Sequence, residues 1–238
     1  MLVVVPALNE EESVARVIGE VKSSLPDAHV LVVDDGSGDQ TSAVAASSGA
    51  DVVTLPFNLG VGGALRTGFR FAQRYGYQEM VQVDADGQHN PADIGRLVAL
   101  LDSADLVIGA RFAGEGDYRV GFVRRLVMRT LAHLISRQTG AELTDVTSGF
   151  RAFGPKAISL FAREYPAEYL GDTVEALLLA GRAGLTVRQV PVQMRQRQGG
   201  QASHSQLMAG LMVFRVLPAF IFKRHRRVRG QRTEGVSP

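Results

Sequence analysis

The chain has 238 residues and 25.6 kDa, a length that suits one domain with a short appendage. Apolar residues make up 45% and charged residues 21%, and cysteine is absent, which excludes wholesale disorder, a disulfide scaffold, thiolate zinc sites and a thiol nucleophile. The net charge of +2 divides into +5 on residues 223–238 and −3 on residues 1–222, so the basic pI of about 9.1 is a tail property and marks no nucleic-acid-binding face.

The run Met1-Leu2-Val3-Val4-Val5 lacks a basic start and meets Pro6 and then Glu10-Glu11-Glu12. It reads as a buried strand, Leu2–Pro6, rather than a signal peptide. Glu11–Leu25 is helical, with Val14, Val17, Ile18 and Val21 on one face. His29–Val33 is a strand, Thr41–Ser48 a short helix, Asp51–Leu55 a strand and Gly63–Tyr75 a helix. Glu79–Val83 is the fourth strand, Ala92–Leu101 a helix and Asp105–Gly109 the fifth strand. Unbroken Val/Leu/Ile strands separated by helices indicate an α/β fold with an open, mostly parallel sheet and helices on both faces.

Beyond Gly109 the pattern predicts helices over Val123–Arg137 and Thr173–Ala183 and strands over Gly149–Phe153 and Leu185–Val192. Residues 1–205 form the expected domain. Leu207–Phe222, interrupted by Arg215 and Pro218, is shorter than the roughly 20 apolar residues of a bilayer span. It reads as an amphipathic interfacial or docking helix over 206–222, or as a helix packed on the domain. A basic, disordered tail is expected over 223–238.

Ligands of open α/β sheets bind outside the carboxyl ends of the strands, and here those ends are polar. They read Pro6-Ala7-Leu8-Asn9-Glu10, Asp34-Asp35-Gly36-Ser37, Asp84-Ala85-Asp86-Gly87-Gln88-His89 and Gly109-Ala110-Arg111. Asp84 and Asp86, two apart on an extended segment, can point the same way and share a hard cation with diphosphate oxygens, with Gln88 adding a neutral oxygen. Mg²⁺ or Mn²⁺ suits such ligands. The same residues also suit a solvated turn. Asp35 is a candidate acceptor for a base or ribose, while Ser37 or Asp39 suits a helix cap. Gly60-Val61-Gly62-Gly63 has Leu65 at its sixth position and does not follow the first strand, so a tight turn is favoured over a dinucleotide loop. The five histidines have no metal-ligand spacing, and Ser148-Gly149-Phe150 lacks the nucleophile elbow of a serine hydrolase.

Taken together with Asn58-Leu59-Gly60 and Asp145-Val146-Thr147-Ser148-Gly149-Phe150-Arg151, these segments resemble family 2 glycosyltransferases. The likeness is to the dolichol-phosphate mannose synthase and polyprenyl-phosphate glycosyltransferase branch, from about Leu2 to about Ser203. The resemblance implies a GT-A fold, a nucleotide-sugar donor and Mg²⁺ or Mn²⁺. It places Pro6, Leu8, Glu10, Asp35, Asp84 and Ala85 at the donor nucleotide, Leu8 standing where an aromatic residue is common. It assigns the metal and diphosphate to Asp84, Asp86 and Gln88, and the reacting groups to Asp86, Arg111, Asp145 and Arg151. Arg197 falls near an Arg-x-x-Gly-x-Ser-Lys segment of the family, with Ser203-His204 in place of Ser-Lys.

A lipid-phosphate acceptor is already anionic and needs no general base, so catalysis rests on alignment and charge stabilisation. Arg111, Arg124, Arg125, Arg195 and Arg197 are candidate phosphate partners. Function is then expected at the cytoplasmic face of a membrane, held peripherally by the basic tail or by a small membrane-protein subunit. The alternatives are a sugar-nucleotide pyrophosphorylase, disfavoured by the loop after the first strand, a non-catalytic nucleotide-binding scaffold, and a phosphorelay receiver, disfavoured by length and the second acidic cluster.

Overall fold

A computed structural model of the chain describes residues 1–111, 122–166 and 172–195. The chain opens with β1 (Leu2–Ala7), α1 (Val14–Ser24), β2 (His29–Asp34), α2 (Thr41–Ser47), β3 (Asp51–Thr54), α3 (Val61–Arg74) and β4 (Met80–Gln82). It continues with α4 (Ile94–Ala99), β5 (Leu106–Arg111), α5 (Phe122–Thr139), β6 (Arg151–Phe153), α6 (Pro155–Glu164), α7 (Asp172–Arg182) and β7 (Val187–Val192). The seven strands form one sheet in the order β3-β2-β1-β4-β6-β5-β7.

β1 lies between β2 and β4, parallel to both, which is why Leu2 to Val5 are wholly buried and read as an unbroken apolar run. Its alternate side chains serve opposite layers. Val3 and Val5 join the α1 residues Val14, Val17, Ile18 and Val21, with Ile94 and Leu97 of α4 in the same core. Val4 faces α3, where a Cβ at Gly68 would stand 2.6 Å from Val4 Cγ1. The missing side chain at Gly68 therefore lets the helix lie directly on the central strand. Behind it, Phe69 packs on Phe153 (4.8 Å between ring centroids), Tyr165 (5.1 Å) and Phe161 (5.2 Å).

Within this mostly parallel sheet, β6 runs antiparallel to both of its neighbours, β4 and β5. Its first residue, Arg151, is paired with Gln82 and Ile108. The chain just before β6 therefore sits at the same rim as the carboxyl ends of the parallel strands. Period-two alternation carries no sense of direction, so this reversal is not written in the strand pattern. The helix α6 was not anticipated either, although Pro155 stands at its first turn. The Ala92–Leu101 helix is instead a short 3₁₀ turn (Pro91–Asp93), α4, and a second 3₁₀ turn (Leu100–Asp102). Asn90 caps its start by accepting from the Ala92 N–H (3.4 Å).

Phe69→Ala is expected to cost about 3–5 kcal/mol, because it empties the centre of the α3–β6–α6 aromatic cluster. The fall should appear as a lower urea midpoint at unchanged slope.

Candidate functional site

The loops after β1 and β2 are stitched together by short polar side chains. Asn9 adopts a left-handed backbone, φ 55°, which asparagine tolerates better than most residues. Its N–H donates to Ser37 Oγ (2.9 Å), and its own side-chain oxygen accepts from the Gly38 N–H (2.9 Å). Glu10 is buried, donates its N–H to Thr41 Oγ1 (2.8 Å) and accepts from Ser13 Oγ (2.6 Å). Asp39 accepts from the Thr41 N–H (2.9 Å) at the start of α2, the helix-entry role open to it from sequence. Glu11, which the sequence reading passed over, accepts from the Gln40 N–H (2.9 Å).

The two aspartates ending β2 have separate tasks. Asp34 is buried and accepts from the Ser37 N–H (2.9 Å) and the Ser37 and Ser42 hydroxyls. Asp35, also buried, accepts from the Leu59 N–H (2.7 Å) and donates its own N–H to Ala7 O (2.8 Å). It thereby ties the Asn58-Leu59-Gly60 turn to the central strand. Of the expected Gly60-Val61-Gly62-Gly63 turn only Gly60, with φ 82°, has a turn conformation; Val61, Gly62 and Gly63 form the first turn of α3. Burial raises the Asp35 carboxyl above the ordinary aspartate range, and neighbouring Asp34 adds to the rise, against lowering by the Leu59 and Gly60 N–H groups.

On the other side of β1, Asp84 follows β4 after Val83. Its carboxylate accepts from Gln82 Nε2 (3.1 Å), and its N–H donates to His89 Nδ1 (3.0 Å). Asp86 Oδ1 accepts from the Gln88 N–H (3.0 Å) across a turn in which Gly87 has φ 74°. Ala85 is buried between the two aspartates. Gly149 closes on this group from the loop before β6, where a Cβ would stand 2.9 Å from Asp84 Oδ2 and 2.9 Å from Gln82 Nε2. The buried Gln82 Oε1 accepts no hydrogen bond among the described residues.

This donor set fits a hard divalent cation. It offers the carboxylate oxygens of Asp84 and Asp86 and the amide oxygens of Gln82 and Gln88, while no group of three or more His, Cys, Asp or Glu side chains able to hold a metal occurs among the described residues. Coordination would be completed by phosphate oxygens and water, as Mg²⁺ prefers.

The remaining expected residues divide. The backbone of Arg111 ends β5 opposite Val192, at the same rim. Asp145 accepts from the Thr147 N–H (3.1 Å) and hydroxyl (2.9 Å), while its own N–H donates to Gln189 Oε1 (3.2 Å). Arg151, expected among the reacting groups, lies in the interior with no exposed surface. Its guanidinium donates to Ser148 O (2.8 Å), Thr173 O (3.0 Å) and Val146 O (3.1 Å). It shapes the loop before β6 from behind, since a buried guanidinium must satisfy its donors. Arg195, a candidate phosphate partner, instead pairs with Glu20 Oε2 (2.5 Å) and donates to Asn90 Oδ1 (2.8 Å). Arg124 and Arg125 fall within α5. The structure does not describe their side chains or that of Arg111, and Arg197, the 206–222 helix and the 223–238 tail lie outside the described residues. Sequence reasoning missed Gln82 and Gly149, although a glutamine inside Met80-Val81-Gln82-Val83 is a visible break in an apolar run.

The profile described as glycosyl transferase family 2 matches residues 2–161. Polyprenol monophosphomannose synthase of Mycolicibacterium smegmatis is 33% identical, covering 96% of this chain and 90% of that protein. Undecaprenyl-phosphate mannosyltransferase of Micrococcus luteus is also 33% identical, with 91% and 92% covered. Glucosyl-3-phosphoglycerate synthase from Mycobacterium tuberculosis, solved with Mg²⁺ and uridine-diphosphate, superposes with a TM-score of 0.69 at 25% identity, over 92% of this chain and 77% of that one. The chain belongs to glycosyltransferase family 2. Its mixed, mostly parallel sheet is of the GT-A type, and it is a glycosyltransferase.

Because burial raises the Asp35 pKa, this group's contribution to stability falls as pH rises from the unfolded aspartate value through the higher folded one. Asp35→Asn removes the buried charge and keeps an oxygen for the Leu59 N–H. The variant is expected to match or exceed wild-type stability to urea at pH 7. Lower stability at pH 7 would contradict the burial argument.

Proposed function

We propose that this glycosyltransferase moves a sugar from a UDP- or GDP-sugar to a polyprenyl phosphate, using Mg²⁺ or Mn²⁺. The observation that carries the reading is the arrangement around β1. Of the nucleoside candidates, Pro6 lies within β1, Leu8 and Glu10 follow it and Asp35 follows β2, while the carboxylates of Asp84 and Asp86 come after β4. The two relatives that are 33% identical are named for transfer to polyprenol and undecaprenyl phosphate, which supports the acceptor class.

In this reading Asp35 and Glu10 hold the nucleoside, with the backbone about Leu8 and Ala85 beside it. Asp84, Asp86 and Gln88 hold the cation, which when bound supplies Lewis-acid stabilisation of the departing diphosphate. An acceptor phosphate oxygen attacks the anomeric carbon, and the carbon–oxygen bond to the diphosphate breaks with its electron pair leaving on the nucleotide. Configuration inverts at that carbon. The acceptor oxygen carries its charge at neutral pH, so no side chain has to remove a proton. Arg111, Arg124, Arg125 and Arg197 are assigned from sequence to the acceptor and leaving phosphates. Asp145 borders the reacting groups, and Arg151 positions the loop between them. The presence of both Asp84 and Asp86 favours catalysis over a scaffold role.

No described helix is long and apolar enough to cross a membrane. The proposal places the enzyme peripherally at the cytoplasmic face, through residues 206–238 or a small membrane-protein subunit.

Calorimetric titration of UDP and GDP with and without Mn²⁺ tests the donor site. One diphosphate should bind in a metal-dependent way, and Asp86→Asn should abolish that dependence and lower kcat about a hundredfold or more. Metal-independent binding unaffected by the substitution would overturn the cation assignment. Deleting residues 223–238 should weaken binding to anionic vesicles, each cation contributing about 1 kcal/mol near such a surface, while nucleotide affinity stays the same. Equal vesicle binding by the two forms would remove the tail from the membrane role.

A further inference from the structure

We propose that Gln82 and His89 are positioning residues that set the Asp84 carboxylate before a cation arrives. The inference rests on the reading that Asp84 helps hold that cation. Gln82 is 2% exposed and donates Nε2 to Asp84 Oδ1 at 3.1 Å. Its place in β4, paired with Arg151 of β6, fixes the backbone from which that amide reaches. His89 approaches the opposite oxygen, with Nε2 3.5 Å from Asp84 Oδ2 and a side chain only 2% exposed.

The tautomer of His89 follows from its other nitrogen. Nδ1 accepts from the Asp84 N–H at 3.0 Å, so the proton of the neutral ring resides on Nε2 and its dipole faces the carboxylate. The ring cannot swing away, because it is stacked on Phe150 with centroids 4.8 Å apart and planes 16° from parallel. The backbone at His89 is held as well, bridged to Met194. Gly149 supplies the third wall, since a Cβ there would lie 2.9 Å from Asp84 Oδ2 and 3.1 Å from Oδ1. The carboxylate is therefore held by the Gln82 amide on one side, faced by the His89 ring at 3.5 Å on another and closed by the Gly149 backbone on the third.

Neutral donors orient a carboxylate without cancelling its charge, and each oxygen keeps a lone pair for a cation. Partners of this kind behind a metal ligand typically carry ten- to hundredfold in metal affinity. The free Gln82 Oε1 is consistent with an amide placed for its donor end.

The test is Mn²⁺ binding to the full chain in the presence of UDP, and separately of GDP, read from the electron paramagnetic resonance of the free ion. Gln82→Leu should raise the Mn²⁺ Kd about tenfold, while metal-free nucleotide affinity and Tm change little. His89→Gln, which keeps a donor near the Nε2 position, should retain more Mn²⁺ affinity than His89→Phe, which keeps only the stacked ring. Wild-type Mn²⁺ binding by Gln82→Leu and His89→Phe, with binding lost in Asp84→Asn, would overturn the positioning role and leave the cation site standing. Unchanged binding in Asp84→Asn would overturn the cation site and the positioning role together. Should Gln82→Leu fail to fold, the histidine pair decides: equal losses in both variants would mean a structural role only.

Discussion

The geometry around Asp84 depends on the close approach of the Gly149 backbone to Asp84 and Gln82. A side chain at 149 would overlap the carboxylate, so the loop before β6 and the end of β4 fit together only as they stand. That approach depends on the antiparallel insertion of β6 between β4 and β5. Running the other way, the same segment would bring its opposite end to the rim. Arg151 holds the arrangement from the interior by filling carbonyls at Val146, Ser148 and Thr173. Ser148 locks it to β5 through Gly109 O (2.6 Å).

The acidic rim has two kinds of carboxylate. Asp34, Asp39, Glu10 and Glu11 accept from hydroxyls and N–H groups of the loops that join β1 to β2 and α2. They take the place of water for backbone groups that have no strand or helix partner. Asp84 and Asp86 sit on a turn beside a packed glycine and a buried, unsatisfied amide oxygen. Asp35 stands between these classes, buried and bonded to the Leu59 N–H, with burial raising its pKa. Its desolvation penalty is stored in the folded protein, and a hydrogen-bonding nucleoside donor would relieve part of it.

The proposed chemistry asks little of the protein in proton transfer and much in placement. The nucleophile comes ionised, so the fold has to align two phosphate-bearing molecules and neutralise charge as it moves onto the leaving diphosphate. A sheet whose rim carries the carboxylates of Asp35, Asp84 and Asp86 after its central strands is suited to that placement. The glucosyl-3-phosphoglycerate synthase structures with Mg²⁺ and uridine-diphosphate share the fold, while the relatives that are 33% identical bear lipid-phosphate names.

By itself the sequence determined the alternation of strands and helices, the apolar face of α1 and the polar ends of the strands. These are local properties, carried by periodicity and by residue type at fixed spacing. The Asp84-Ala85-Asp86 pair and the Asp35 turn were legible for the same reason. Tertiary structure alone decided the direction of β6, because pleat alternation is the same in either sense. It also decided that Arg151 is interior and Arg195 is bound to Glu20 and Asn90, since a guanidinium's role depends on which carbonyls and carboxylates the fold brings to it. Gln82 and His89 flank Asp84 in one stretch of chain, but Gly149 reaches it from the loop before β6, a meeting that no local spacing encodes.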